Sequence, residues 1–189
     1  MQGRNLKDRL LCRFGAFRAD KSGVAATEFA FIVPLMLVMF FGTVEFCSAI
    51  AVDRKVTLMA RTLSDLTSQS TTVGDSDMSN FFAASTGIMY PYATSPVNAT
   101  ITELYVDPTS KQATVVWSKG SAVRAVGTTV GVPADLLVSG TYLIFSEVTY
   151  QYVPTIGYVM AKTGINLGDV AYTRPRQSTC VYYSPKTSC

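Results

Sequence analysis

Residues 21–44, "KSGVAATEFAFIVPLMLVMFFGTV", decide the fold, because they hold the long apolar run of this chain. Phe29 to Val44 is a stretch of 16 residues without a charge. As an α-helix this stretch is about 24 Å long. Extended to Val52, it has the length needed to cross a hydrocarbon core of about 30 Å. The sequence therefore predicts one transmembrane helix near the N-terminus.

A cleaved secretory signal is the alternative interpretation of this run. Such signals have an apolar core of about 7–15 residues followed by a small-residue cleavage site, and Ala49–Ile50–Ala51 fits that site. The helical pattern continues beyond it, however. Apolar residues recur in steps of four and three at Val52, Val56, Met59, Leu63 and Leu66. We expect one long helix whose stripe packs on its own domain, with packing on a partner helix as the alternative.

Charge is concentrated in the N-terminal arm. Residues 1–22 carry six basic and two acidic side chains, whereas the rest carries ten basic and eleven acidic ones. Lys and Arg beside a span are retained on the cytoplasmic side, so residues 1–23 are predicted to be a basic cytoplasmic leader. Within it, residues 4–18 favour either a short amphipathic helix or a disordered segment. Nucleic acid is not expected as a partner, since no basic patch recurs with aromatic interleaving.

The composition argues against catalysis. The chain has no histidine and four cysteines, which excludes Ser-His-Asp and Cys-His catalysis and most zinc sites. Glu103, Asp107 and Glu147 form no recognisable acid–base pair. We therefore expect no enzyme, no catalytic residue, no metal and no cofactor. Cys180 and Cys189 are expected to pair in a disulfide that closes a short loop, with two unpaired thiols as the alternative.

Two regions follow the leader: residues 24–70, the transmembrane helix with its extramembrane continuation, and residues 71–189, a small domain. The domain sequence predicts a short helix around Met78 to Ala84 and a hairpin across "DPTSK". Its clearest strand is "SGTYLIFSEVTYQYVP", and "VAYTRPR" and "CVYYS" indicate closing strands. The predicted fold class is α+β, with an antiparallel sheet packed against the emergent helix.

Three features coincide at residues 21–29: a basic arm ends, a glycine follows, and Glu28 stands fifth after that glycine. This arrangement resembles the prepilin processing site of the type IV filament superfamily. The helix opening more closely resembles that of the TadE-like pilus assembly proteins of the tight-adherence (Tad/Flp) system, a "G-x-x-A-x-E-F/Y-A" pattern with an early proline. The matching residues are Gly23, Ala26, Glu28, Phe29, Ala30 and Pro34. "MARTLSDLTSQ" and Tyr172 to Cys180 resemble that family's second helical segment and its Arg-rich tail.

The resemblance implies a pseudopilin-like subunit of the bacterial inner membrane, with a cytoplasmic N-terminus and a periplasmic domain, required for assembly of the pilus. It implies cleavage between Gly23 and Val24 by a prepilin peptidase. The other implied partners are membrane lipid, the small Flp pilin, sister TadE/TadF-like subunits and the inner-membrane assembly platform. A signal-anchored periplasmic binding domain unrelated to pili is the alternative function.

Glu28 needs a physical explanation, because a carboxylate at mid-bilayer costs about 2.5–3.5 kcal/mol. Val24 and Glu28 are four residues apart and share a helix face, so cleavage would create an amine one turn from the carboxylate. The resemblance implies pairing with the amine of a neighbouring subunit instead. An ordinary interfacial residue of a signal anchor is the alternative. Pro34 lacks an N–H and predicts a kink, and Glu45 is expected at the outer interface.

Overall fold

The computed structural model describes residues 22–95, 97–154 and 164–186. Most of the predicted leader, including the segment at residues 4–18, lies outside them. The described chain divides into two compact units, which we call the anchor unit (residues 22–44) and the folded unit (residues 45–186). The helices are α1 (Ser22–Ser68) and α2 (Asp75–Thr86). The strands are β1 (Thr72–Val73), β2 (Val97–Val106), β3 (Ala113–Gly120), β4 (Thr129–Val130), β5 (Tyr142–Tyr152), β6 (Ile165–Thr173) and β7 (Tyr182–Tyr183).

The anchor unit is the first half of α1, and nearly all of its apolar side chains are exposed. Phe31 is 81% exposed and Val38 is 69% exposed. Apolar surface in water costs about 25 cal/mol per Å², so this segment needs apolar surroundings. Among the described residues, α1 is the one helix long and apolar enough to cross a membrane. It continues through Ala49–Ile50–Ala51 as helix, as the periodicity predicts.

The folded unit is built on a five-stranded sheet with the order β4-β3-β2-β5-β6. All neighbouring strands in it are antiparallel, so the predicted α+β fold with an antiparallel sheet is confirmed. The hairpin across "DPTSK" is β2 and β3, and the clearest predicted strand is β5. The sequence did not predict the second sheet, in which β1 and β7 pair in parallel.

The second half of α1 packs on one face of the sheet. Val52, Val56, Met59 and Leu63 are fully buried in a cluster with sheet residues such as Ile101. This confirms that the apolar stripe packs on its own domain. Leu66, the last member of the stripe, is only half-buried. The opposite face of the sheet has a smaller core, around Leu104 and Phe145.

Small polar side chains fix the register of α1 on β5. The Ser146 hydroxyl donates to the carbonyl of Ala60 at 2.6 Å, and the Ser64 hydroxyl donates to the carbonyl of Ile144 at 3.3 Å. The Ser64 hydroxyl also lies 2.7 Å from that of Thr173 on β6. Later helix residues therefore meet earlier strand residues, and α1 runs antiparallel to β5.

Candidate functional site

The predicted cleavage site lies inside α1. Ser22, Gly23 and Val24 are all helical, so the bond between Gly23 and Val24 is part of the helix. Val24 is 58% exposed, and its carbonyl accepts a hydrogen bond from the Thr27 hydroxyl at 2.8 Å. A Cβ added at Gly23 would meet nothing within 4 Å. The local fold therefore does not require glycine at this position.

Glu28 stands one helical turn after Val24, and both side chains are exposed. Four-residue spacing in a continuous helix places them on the same face. Within the part of the chain that the structure describes, no side chain or backbone group pairs with the Glu28 carboxylate. A protein partner for this carboxylate would have to come from residues 1–21, from a new N-terminus or from another chain.

Pro34 lies inside α1, which continues through it without interruption. Because proline has no N–H, the carbonyl of Ala30 has no amide four residues ahead to bind. Membrane helices tolerate such a position when neighbouring groups satisfy the carbonyl. The kink expected at Pro34 stays a prediction.

Glu45 begins the folded unit and is bound within it. The Tyr152 hydroxyl donates to Glu45 Oε2 at 2.8 Å. Burial raises the pKa of Tyr152 to about 12, the Glu45 carboxylate acts in the same direction, and Ser48 opposes it. The carboxylate that follows the apolar run is therefore held by the end of β5.

Comparison with known families bears on this helix. Residues 23–63 match the family model described as TadE-like protein. The chain carries a TadE-like domain. No curated protein and no solved structure matches the chain. The resemblance stated from Gly23, Glu28 and Pro34 is thus confirmed over this segment, and it links the chain to the Tad pilus system in general terms.

The TadE-like segment begins at Gly23 and ends at Leu63. It therefore contains the predicted cleavage site, the exposed apolar helix and the buried stripe that docks on the sheet. Gly23, Val24, Glu28 and Pro34 all lie in its first part. The predicted cysteine pair does not, since Cys180 and Cys189 both follow Leu63 by more than 100 residues.

Cys180 is buried and disulfide-bonded. Cys189 lies outside the described residues, so their pairing stays a prediction. Cys47, inside the TadE-like segment, is an exposed free thiol.

Outside the TadE-like segment, the sequence interpretation missed the role of Glu103. Its side chain is 1% exposed on the face of β2 that looks toward α1. The Val181 N–H donates to Glu103 Oε1 at 2.6 Å, and the Trp117 indole N–H donates to the Val181 carbonyl at 2.9 Å. The backbone N–H and carbonyl of Val181, the residue after Cys180, are thus both hydrogen-bonded to side chains of the sheet. Burial raises the pKa of Glu103 to about 7, against the opposing effect of the Val181 and Trp117 N–H groups.

The other carboxylates named from the sequence have structural partners. Glu147 forms a two-point ion pair with Arg124, with Nη2 to Oε1 at 2.9 Å. Asp107 accepts the N–H groups of Thr109 and Ser110 in the β2–β3 turn, and these bonds lower its pKa. Each of these contacts shapes the fold.

Proposed function

We propose that this chain is a pseudopilin-like membrane component required for assembly of the tight-adherence (Flp/type IVb) pilus. The observation that carries the proposal is the extent of the TadE-like match, from Gly23 to Leu63. One unbroken helix holds the processing motif, the apolar segment and the stripe that packs on the sheet. A signal anchor for an unrelated binding domain does not need the first of these.

The proposed location is the bacterial inner membrane, with the basic leader in the cytoplasm and the folded unit in the periplasm. The charge of residues 1–22 supports this orientation. The disulfide at Cys180 supports an oxidising compartment for the folded unit. Prepilin peptidase, the small Flp pilin, sister TadE/TadF-like subunits and the assembly platform are the proposed partners.

Cleavage after Gly23 would change the anchor in two ways. It removes the six basic side chains that hold the N-terminus at the anionic inner leaflet. It also creates an ammonium group on Val24, one turn from Glu28 on the same helix face. The uncompensated carboxylate then gains a partner in its own chain or in a neighbouring subunit, and the exposed apolar helix becomes competent to pack in a filament.

Replacing Gly23 with valine is expected to block cleavage and leave folding intact. The space around Gly23 accepts a larger side chain, so the substitution acts on recognition by the peptidase. Mass spectrometry of the N-terminus should find Val24 first in the wild type and residues 1–23 retained in the variant. Gly42→Val is the matched control, since Gly42 lies in the same helix and is equally unobstructed. An intact N-terminus on the wild-type chain in cells with active prepilin peptidase would overturn the proposed processing.

Replacing Glu28 with alanine is expected to leave cleavage intact and impair assembly. Loss of about 1.4 kcal/mol at one subunit contact lowers the association constant about tenfold. Coupling energies of about 1.5–7 kcal/mol have been measured for close charge pairs across a protein interface. The measurement is pilus yield beside N-terminal mass spectrometry, with Thr27→Ala as an exposed neighbour that should keep normal yield. Normal piliation with Glu28→Ala would remove the assembly role and leave an ordinary interfacial carboxylate.

A further inference from the structure

The strand β6 forms one edge of the five-stranded sheet. Its inner side pairs with β5 over nine residues without a shift in register, whereas no described strand pairs with its outer side. At the opposite edge, β4 has only two residues, and a short strand offers little to a further chain. β6 contains neither proline nor lysine, two residues that commonly block the addition of another strand. Within the described ranges, its outer side is therefore open to pairing.

Alternate residues of β6 direct their backbone N–H and carbonyl groups away from β5. Val170 is one of them, since its N–H donates to Asp169 Oδ1 at 2.8 Å on the outer side. The period of two gives Tyr172 the same orientation. An added strand would pair with the backbone of Tyr172 and with the Val170 carbonyl, and it would take over the Val170 N–H from Asp169.

A groove of about 550 Å³ runs between this part of β6 and α1. Val170 is about 17 Å along the strand from Ile165, so the groove is at the Thr173 end of β6. Leu66, the half-buried last member of the apolar stripe, contributes apolar surface to it. We call it the β6 groove, and its lining comprises Arg61, Thr62, Asp65 and Leu66 of α1, residues 170–173 of β6, and Arg176.

The β6 groove has an excess of positive charge. Arg176 forms an ion pair with Asp65. Arg61 is exposed and has no ion pair within the described part of the chain. Two guanidinium groups thus share one carboxylate. Because the planar guanidinium matches the geometry of a carboxylate, the groove is complementary to an acidic side chain.

We propose that the β6 groove binds an extended segment of another protein chain, which adds a strand to β6 and directs an acidic side chain toward Arg61. In this mode of recognition, main-chain hydrogen bonds provide affinity and alternate side chains provide specificity. Side chains of the added strand that point to the α1 face of the sheet meet Leu66 and Arg61 in the groove. The segment recognised is therefore one whose apolar and acidic side chains share one face.

A synthetic peptide tests the site on the full chain in detergent micelles. The probe is a fluorescently labelled, capped heptapeptide in which threonine and valine alternate and glutamate occupies the centre, so that it presents the same side chains in either strand direction. Two control peptides are N-methylated, one at the threonine amides and the other at the valine and glutamate amides. Because successive N–H groups of a strand point to opposite edges, each control blocks one edge of the peptide.

Fluorescence anisotropy is expected to show that the probe binds, that one N-methylated peptide also binds, and that the other does not. Arg61→Ala should weaken binding about threefold, which is the effect of one exposed ion pair. Arg54→Ala is the matched control and should bind normally, since Arg54 is exposed on the same face of α1, about 10 Å before Arg61 and outside the groove.

Val170→Pro is expected to weaken binding at least tenfold, because the ring occupies the outer side of β6. The sheet should tolerate the substitution, since the Val170 N–H points away from β5 and edge strands accept proline in that orientation. An unchanged urea midpoint, followed by Trp117 fluorescence, shows that the variant is folded. If it is not folded, the N-methylated peptides still test the edge, because they leave the protein unaltered.

Absence of peptide binding would overturn the proposal. Equal binding of both N-methylated peptides would also overturn it, because the contact would then not involve the backbone of β6. If the wild-type chain self-associates in sedimentation experiments and Val170→Pro abolishes this association, the edge belongs to a second copy and not to another protein. None of these outcomes depends on cleavage after Gly23 or on membrane insertion, so the proposed function is tested separately.

Discussion

At pH 8, replacing Glu103 with glutamine is expected to raise the free energy of unfolding of the folded unit by about 3 kcal/mol. The carboxylate is 1% exposed on β2, and burial raises its pKa from 4.5 to about 7. Each unit of that difference corresponds to about 1.4 kcal/mol. Glutamine keeps an oxygen that can accept the Val181 N–H, and it never has to be buried as an anion.

The direction of the pH dependence follows from the raised pKa. The folded state holds the Glu103 proton more tightly than the unfolded chain does, so this group's contribution is fully present below pH 4.5. It is lost as the pH rises through about 7, where the folded state also ionises. The advantage of the glutamine variant should therefore be below about 1 kcal/mol at pH 5 and should reach its plateau near pH 8.

Urea unfolding of the full chain in detergent, followed by Trp117 fluorescence, measures this difference. Trp117 is buried and donates to the carbonyl of Val181, so its emission reports on the segment that Glu103 holds. Glu147→Gln is the matched control on β5. It breaks a partly exposed ion pair with Arg124, which costs about 0–1 kcal/mol, and it should give no gain at pH 8. A Glu103→Gln variant no more stable than the wild type at pH 8 would show that the buried carboxylate carries no ionisation cost.

Sequence patterns predicted those parts of the fold that depend on residues close together in the chain. The uncharged run and the stripe from Val52 to Leu63 predicted both the length of α1 and its buried face, because helical periodicity is read directly along the chain. The β2–β3 hairpin was similarly evident, since Asp107 and Pro108 supply the turn chemistry between two apolar runs. The TadE-like opening was recognisable for a related reason, as its residues are close together in sequence.

What could not be predicted depends on distant segments meeting. The parallel pairing of β1 with β7 joins Thr72 to Tyr182, and two-residue strands leave no periodic signal. The hydrogen bond from the Val181 N–H to Glu103 joins β2 to a residue 78 positions further along the chain. A partial signal was present, since strand alternation in "TITELYV" places Glu103 on the same face as Ile101 and Tyr105. A glutamate on an apolar strand face is buried when that face packs, and a buried charge needs a partner.

Truncation of a buried side chain of α1 is also expected to change the stability of the folded unit strongly. Leu63→Ala is expected to lower the free energy of unfolding of the folded unit by about 3 kcal/mol, within the range of about 2–5 kcal/mol for buried leucines. Leu63 is fully buried in the cluster that α1 forms with the sheet. It lies one residue before Ser64, whose hydroxyl bonds the carbonyl of Ile144, so the surrounding backbone is fixed and cannot collapse freely into the cavity.

Leu58→Ala is the matched control, because Leu58 lies on the same helix and is 52% exposed. Its removal should change stability by no more than about 0.5 kcal/mol. Urea unfolding followed by Trp117 fluorescence measures both variants. Comparing Leu63→Ala with Leu58→Ala also distinguishes packing of the apolar stripe on its own sheet from packing on a partner helix. If Leu63→Ala left unfolding unchanged and Leu58→Ala weakened it, the buried face of α1 would have been assigned to the wrong side. If Leu63→Ala lowered self-association and left the free energy of unfolding unchanged, the stripe would pack on a partner helix. The packing of α1 would then no longer link the processing motif to the sheet of its own chain.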